Sequence, residues 1–215
     1  MSIRVLVADD QPIVRSGLTM LLDAQPDIDV VGAAADGREA VQLARQLPPG
    51  VGLFDIRMPV MDGIEATRQL AGPDVEDPLP IIVITTFDLD EYVHGALKAG
   101  ARGFLLKDAG PDLLTRAIHA AAEGDALIAP SVTVRLLATF ATSRAGAARQ
   151  PLEPLTAREE EVLVTVARGR TNDEIASELF ITTSTVKAHV ASLMRKLGAR
   201  NRVEVAMWAH ESGRV

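Results

Sequence analysis

Short runs of apolar, often β-branched residues alternate with longer segments of helical period over residues 1–122, and this alternation limits the fold more than any other feature. Strands that consist of continuous apolar runs are usually buried on both faces, as in parallel sheets covered by helices. We therefore predict an α/β, doubly wound domain with a five-stranded parallel sheet. Its predicted strands are 3–8, 30–34, 51–54, 81–85 and 103–106.

The β-pattern disappears in the last third of the chain, where the sequence predicts an all-α domain. Thr156 with Glu159 three positions later has the form of a capping box, and Thr171 and Thr182 are placed to cap two further helices. The predicted helices are 157–168, 172–179, 183–197 and 202–210.

Between the two patterns lies a stretch that we interpret as a linker. Segment 126–142 has helical apolar spacing, and 143–154 is rich in Ala, Gly, Arg and Pro with little to bury. We expect three parts: domain 1–122, a linker helix and flexible linker over 123–154, and domain 155–215. Cysteine is absent, and no apolar run approaches the ~20 residues of a membrane span. These features favour a cytoplasmic protein without membrane association.

Taken for the whole chain, the formal charge of -7 argues against nucleic-acid binding, but the charge is unevenly distributed along the sequence. Residues 1–124 contain 10 Lys and Arg against 19 Asp and Glu, net -9. From Thr182 to the end the count is 6 against 2, net +4. The net negative charge lies in the first domain, and the segment from Thr182 onward has a net positive charge that could bind a polyanion.

Reactive side chains follow the predicted strands at the edge where a doubly wound sheet binds ligands. Asp9 and Asp10 come after the first strand, Asp55 after the third, Thr85 at the end of the fourth and Lys107 after the fifth. Three crowded carboxylates repel one another unless a cation lies among them, and all-oxygen ligands suit Mg²⁺. A lone Asp at such a position more often caps a turn or helix, but five matching strand ends favour a site.

These residues resemble the receiver domain of bacterial response regulators in segments 7–11, 54–63, 85–86 and 103–107. The resemblance implies that Asp55 is the phosphoacceptor for a sensor histidine kinase. It also implies that Asp9, Asp10, Asp55 and the backbone carbonyl of Arg57 hold Mg²⁺.

The resemblance assigns roles to three further residues of the same domain. Thr85 and Lys107 are the groups expected to contact the phosphoryl group. Thr85 and Phe104 are the expected switch residues, with the Phe104 ring moving inward on activation.

The face of segment 183–197 opposite its apolar stripe combines small residues with cations. We expect the stripe to be buried. Small residues let a helix lie deep in the DNA major groove, where cations can contact phosphates or guanine edges. On charge alone, a solvated helix face is the favoured interpretation. The stripe contains Val186, Val190, Leu193 and Leu197, and the opposite face with its flanks contains Ser184, Thr185, Lys187, Ala188, Ala191, Arg195 and Lys196.

The second domain resembles a LuxR-type helix-turn-helix in segments 155–163, 171–176, 185–190 and 196–202. This resemblance favours DNA binding by segment 183–197 over a solvated helix face. The resemblance implies promoter DNA as a partner. It places Lys187, Ala188 and Ala191 at base-facing positions, and Thr183, Thr185 and Arg195 at candidate phosphate contacts.

Together the two resemblances identify the chain as a member of the NarL/FixJ subfamily of response regulators. They imply a transcription factor that homodimerises on phosphorylation and catalyses only its own phosphoryl transfer and dephosphorylation. Two other functions use the same residues: a Mg²⁺-dependent phosphatase or phosphotransferase, and a receiver that no longer accepts phosphate. The recognition helix argues against the first, and the presence of Asp55 and Lys107 argues against the second.

Overall fold

The structure is a computed structural model that describes residues 2–86, 90–125, 151–199 and 201–215. The chain folds into two compact units, Met1–Thr133 and Val134–Val215. The predicted linker helix, and the flexible linker up to residue 150, lie outside the described residues. Within the described ranges, no helix is both long and apolar enough to cross a membrane.

Within the described residues, the first unit consists of five strands that alternate with five helices. The strands are β1 (Ile3–Ala8), β2 (Ile28–Ala34), β3 (Val51–Asp55), β4 (Ile81–Thr85) and β5 (Gly103–Leu106). The helices are α1 (Pro12–Asp23), α2 (Gly37–Gln46), α3 (Gly63–Ala71), α4 (Asp90–Ala99) and α5 (Pro111–Ala122). All strand pairs are parallel and the order is β2-β1-β3-β4-β5, which confirms the predicted fold class.

The apolar runs are buried because helices cover the sheet. Every residue of β3 and β4 is buried, and so are the last four residues of β1. Strand order reverses between β1 and β3, so the connections leave these neighbours in opposite directions and open a crevice at their carboxyl ends.

The described part of the second unit is all-α, as predicted. Its helices are α6 (Ala157–Ala167), α7 (Asn172–Leu179), α8 (Thr183–Leu197) and α9 (Arg202–Glu211). Capping boxes begin α6 and α7, with Thr156 paired to Glu159 and Thr171 to Glu174. The four helices enclose one core that includes Val162, Leu163, Ile175, Val186, Val190, Leu193, Val205 and Trp208.

Glycine is required at Gly63 for a steric reason. This residue begins α3, directly after the loop that leaves β3, and its amide donates to the carbonyl of Ile56 at 2.9 Å. A Cβ atom at this position would lie 1.9 Å from the backbone oxygen of Asp55. The start of α3 therefore packs against the end of β3 without space for a side chain.

We expect Gly63→Ala to destabilise the first unit by about 3 kcal/mol or more, because backbone must move to accept one methyl group. Gly17→Ala is the matched control, since a Cβ there meets nothing within 4 Å inside helix α1. The control should stabilise the unit by about 0.5–1 kcal/mol. Chemical denaturation followed by circular dichroism measures both, and equal effects of the two variants would contradict the steric argument.

Candidate functional site

Strand register brings the predicted acidic residues together at the carboxyl edge of the sheet. Ala8 pairs with Phe54, so Asp9 and Asp55 follow side by side at the ends of β1 and β3. One carboxylate oxygen from each of Asp9, Asp10 and Asp55 lies within 4.8 Å of the other two. Asp9 and Asp55 are buried and Asp10 is exposed, so the cluster opens to solvent on one side.

Lys107 directly follows β5, the edge strand of the sheet, and its side chain reaches this cluster. Its Nζ lies 2.6 Å from Asp9 Oδ2 and 2.9 Å from Asp55 Oδ2, and its side chain is only 9% exposed. The backbone amide of Lys107 donates to the carbonyl of Thr85 at 2.9 Å, which fixes the end of β5 against the end of β4. One ammonium group therefore contacts two of the three carboxylates.

Burial and charge shift the pKa values of Asp55 and Lys107. Burial raises the pKa of Asp55, the negative charge of Asp9 adds to the rise, and the contact with Lys107 opposes it without cancelling it. Burial on its own would lower the pKa of Lys107, but its contacts with Asp9 and Asp55 outweigh burial and raise it. The site is thus a compact group of mutually dependent charges.

The donor set fits a divalent cation. Three carboxylates face one ammonium, which leaves an excess of negative charge. Asp9 Oδ2 is buried and, among the described residues, accepts no hydrogen bond of normal geometry beside its ion pair with Lys107. Hard oxygen ligands of this kind suit Mg²⁺, which keeps several waters and needs only one or two carboxylates. Arg57 lies two residues beyond Asp55, within the loop that borders the cluster.

The two expected switch residues are both buried. Thr85 closes β4 at the rim of the acidic cluster, and Phe104 lies in β5 with no exposed surface. The ring of Phe104 is therefore inward in this structure.

Sequence reasoning missed a strained turn in the loop after Asp55. Val60 has a positive φ of 66°, and the amide of Met61 donates to the carbonyl of Pro59 at 2.6 Å across it. This pattern defines a γ-turn centred on Val60, which is rare and strained, especially for a β-branched residue. Val60 is also 67% exposed, so no core packing accounts for the choice of residue.

In the second unit, α8 presents the predicted surface. Val186, Val190 and Leu193 are buried and Leu197 is partly buried, so the apolar stripe packs inward. The turn before α8 is held by Thr182, whose hydroxyl accepts from the amide of Thr185 at 3.2 Å. The predicted DNA-contact residues that are exposed are Ser184, Lys187, Ala188, Ala191 and Arg195, while Thr183 and Thr185 are partly exposed.

One expected flank residue is wrong: Lys196 does not belong to the free surface of α8. Its side chain is only 11% exposed, and its Nζ lies 2.8 Å from Glu159 Oε2 and 3.1 Å from the carbonyl of Pro154. Nearby, Arg195 is exposed but lies 2.5 Å from Glu153. Residues 152–154, which we assigned to the linker, thus bond to α8, and Leu152 adds a backbone hydrogen bond to Lys196.

Glu159 connects α6 to α8 through its buried carboxylate. It accepts from the amide of Thr156 at 2.7 Å, from Ser192 Oγ at 2.7 Å and from Lys196 at 2.8 Å. Burial alone would raise the pKa of Glu159, but these donors together lower it to about 2. The sequence signal was the capping box, which predicted only the contact with Thr156.

Comparison with known proteins agrees with both sites. Residues 5–119 match the response regulator receiver domain family, and residues 153–209 match the luxR family of bacterial regulatory proteins. Fold and site together define a response regulator: a receiver domain joined to a LuxR-type DNA-binding domain.

Relatives that are similar over almost their full length show to which subfamily of response regulators the chain belongs. The chain is 44% identical over 210 residues to the transcriptional regulatory protein LiaR of Bacillus subtilis, covering 98% of each chain. It is 39% identical over 207 residues to the nitrate/nitrite response regulator NarL of Escherichia coli K12, covering 96% of this chain and 94% of NarL. A solved structure of two RcsB dimers bound to two parallel DNAs matches with a TM-score of 0.58 and 27% identity, covering 98% and 99%. The chain belongs to the NarL/FixJ subfamily of two-component response regulators and is a transcriptional regulator.

The lowered pKa of Glu159 predicts how the stability of the second unit depends on pH. Because the folded pKa of about 2 lies below the ordinary value of 4.5, ionised Glu159 stabilises the fold above that ordinary value. This stabilisation is lost as pH falls from about 4.5 towards 2. Trp208, the only tryptophan, is buried in this unit, so urea unfolding followed by its fluorescence reports on the unit.

Glu159→Gln should lower the free energy of unfolding at pH 7 by about 3 kcal/mol, because Lys196 stays largely buried without its counter-charge. The variant should also lose less stability than wild type between pH 7 and pH 3. Glu161→Gln, on the same helix with a side chain 53% exposed, should cost at most about 1 kcal/mol. Identical pH profiles for wild type and Glu159→Gln would refute the assignment.

Proposed function

We propose that a sensor histidine kinase phosphorylates Asp55 and that this phosphorylation controls DNA binding by the second unit through homodimerisation. The observation that carries the proposal is the position of Lys107, which lies within 3 Å of both Asp9 and Asp55 at the edge where three carboxylates meet. The comparisons support the class of protein, since LiaR and NarL are regulators of the same two-part organisation.

In the proposed transfer, a carboxylate oxygen of Asp55 attacks the phosphorus of a phosphohistidine on the kinase. The P–O bond forms as the P–N bond breaks, and the histidine nitrogen leaves with the bonding electrons. Lys107 neutralises charge on the phosphoryl oxygens, and the Thr85 hydroxyl donates a hydrogen bond to one of them. The Asp55 side chain is held for attack by the amide of Ile56, which donates to Oδ1 at 2.7 Å.

Mg²⁺ bound by Asp9, Asp10, Asp55 and the carbonyl of Arg57 would offset the negative charge that the phosphoryl group brings. Asp9 and Asp10 are the residues that make such binding favourable, because Lys107 alone leaves the cluster with an excess of negative charge. The same groups serve the later hydrolysis of the acyl phosphate, so the chain acts only on its own phosphoryl group and not as an enzyme on a separate substrate.

We expect Asp55→Asn to abolish incorporation of label from radioactive acetyl phosphate with Mg²⁺, because the amide has no anionic nucleophile. Asp62→Asn is the matched control: Asp62 caps α3 by accepting from the amide of Glu65, and asparagine caps helices equally well. The control should be labelled like wild type. Persistent labelling of Asp55→Asn would move the phosphorylated residue elsewhere.

The proposed DNA-binding element is α8, lying in the major groove. Lys187, Ala188 and Ala191 face the bases, and Ser184 lies beside them on the exposed face. Thr183, Thr185 and Arg195 are the proposed phosphate contacts. RcsB, which this chain resembles over almost its full length, has been solved as dimers on DNA, which supports both the DNA and the homodimer as partners.

Phosphorylation is proposed to act by raising the population of the dimer. Segment 151–215 has 9 Lys and Arg against 9 Asp and Glu, so one copy offers little net attraction to DNA. Two copies joined through the proposed receiver, residues 1–122, bind bivalently, because the second contact becomes intramolecular. In such a dimer, we expect the two copies of α8 to bind half-sites about 34 Å apart.

Lys187→Ala should weaken binding to a duplex selected from a random library by the wild-type protein, and should lower the slope of log affinity against log salt by about one unit if Lys187 contacts phosphate. Its melting temperature should not change, because the side chain is exposed. Lys196→Ala gives the contrasting result: a loss of about 3 kcal/mol in unfolding free energy, because it leaves Glu159 buried and unpaired. Binding by Lys187→Ala equal to that of wild type would exclude Lys187 from the interface.

A further inference from the structure

A surface cleft in the first unit lies between α2 and α3, and its lining includes none of the residues of the acidic cluster. Its volume is about 420 Å³, and its floor is formed by Val41 of α2 and by Met61 of the loop after β3. The polar side chains that line it are Arg38, Gln42, Arg45, Gln46 and Gln69.

The two arginines are unusual in this domain, because residues 1–124 have a net charge of -9. Two other arginines of the unit are engaged, since Arg15 donates to the carbonyl of Asp9 and Arg68 pairs with Glu65. Within the described part of the chain, Arg38 and Arg45 make neither an ion pair nor a hydrogen bond. Glu65, on the adjacent helix, is already bound by Arg68 and Gln69. The cleft thus holds uncompensated positive charge.

The lining favours a ligand rich in anionic acceptors. Each guanidinium offers five N–H donors and no acceptor, and each glutamine amide adds two donors. Arg38 and Arg45 are seven residues apart on α2, which places them on one face about 10.5 Å apart along the helix axis. In the polyproline II conformation, side chains three residues apart lie on the same side of a peptide and about 9.3 Å apart, so carboxylates at every third position match this spacing.

The cleft suits a polypeptide better than a small metabolite. Small-molecule sites bury most of their ligand. Here all five polar lining residues are exposed, so a ligand would lie across the surface and continue beyond the cleft.

The cleft is joined directly to the loop that follows Asp55. The amide of Gly37, at the start of α2, donates to the carbonyl of Met61 at 3.0 Å. A Cβ at Gly37 would lie 2.6 Å from that carbonyl oxygen, so the two backbones are in close contact. Met61 itself belongs to the strained γ-turn at Val60. A ligand seated on Met61 therefore touches the same loop that carries Asp55.

We propose that the α2–α3 cleft is a docking site for an acidic polypeptide segment of a partner protein, with Arg38 and Arg45 binding two carboxylates about 10 Å apart. This site is separate from the proposed phosphorylation of Asp55 and from DNA binding, and it holds or fails independently of both.

The probe is a fluorescein-labelled peptide with glutamate at every third position, and the reference peptide replaces each glutamate by glutamine. Anisotropy is measured with the full-length protein at low salt, up to millimolar protein concentration. The glutamate peptide should bind with an affinity that falls with salt, and the glutamine peptide should not bind.

Arg38→Gln and Arg45→Gln should each weaken binding roughly fivefold. Arg116→Gln is the matched control, because Arg116 is an exposed arginine on α5, likewise without a partner among the described residues. The control should bind within about twofold of wild type. All three variants should keep the wild-type melting temperature, since these side chains are exposed.

A second readout locates the peptide. On binding, the amide resonances of Gly37 and Gln42 should shift and those of α5 should not. The proposal is overturned if the glutamate peptide does not bind, if the glutamine peptide binds equally, if Arg116→Gln weakens binding as much as the cleft variants, or if the shifts lie outside α2, α3 and the loop carrying Met61.

Discussion

The repulsion among Asp9, Asp10 and Asp55, and its partial relief by Lys107, is the interaction on which the first unit depends. The carboxylates come from β1 and β3, and the ammonium comes from the end of β5, two strands further across the sheet. The parallel register ends neighbouring strands at one edge and so brings the ammonium of Lys107 within 3 Å of Asp9 and Asp55. One positive charge cannot balance three negative ones, so the fold holds the cluster together with an excess of negative charge.

The second unit also contains a buried carboxylate in contact with a lysine, but there the two charges balance. Glu159 is also a buried carboxylate next to a lysine, but here one charge meets one charge and the remaining acceptor capacity is used by Thr156 and Ser192. Nothing in that arrangement attracts a further ion. The pair fixes α8 against α6 instead, and this leaves the opposite face of α8, with Lys187, Ala188 and Ala191, exposed for a ligand. Charge balance decides whether such a buried pair acts chemically or structurally.

The sequence predicted the elements well because their signals are local. Apolar runs gave the five strands, and hydroxyl caps gave the starts of three helices of the second unit. All four predicted helices of that unit agree with the structure to within one residue at either end. The errors came from contacts distant in sequence. β2 begins two residues earlier than its β-branched run, because Ile28 pairs with Ile3 of β1. Lys196 looked like a surface cation by helical position, and only the packing of α8 on α6 directs it to Glu159, 37 residues earlier. The γ-turn at Val60 contains neither glycine nor asparagine, the residues from which a positive φ is usually predicted.

The loop from Asp55 to Gly63 connects these observations in the first unit. At one end, Asp55 bonds the amide of Ile56; at the other, Gly63 lies so close to the Asp55 carbonyl that no side chain fits. With both ends fixed, the chain between them must turn tightly, and the strain is taken up at Val60, where solvent exposure leaves room for it. Backbone strain beside a reactive site persists only where several surrounding contacts fix the backbone in place. Here the surroundings are the start of α3 and the Gly37–Met61 contact with α2, so a change of charge at Asp55 acts on a loop already held near the limit of its allowed geometry.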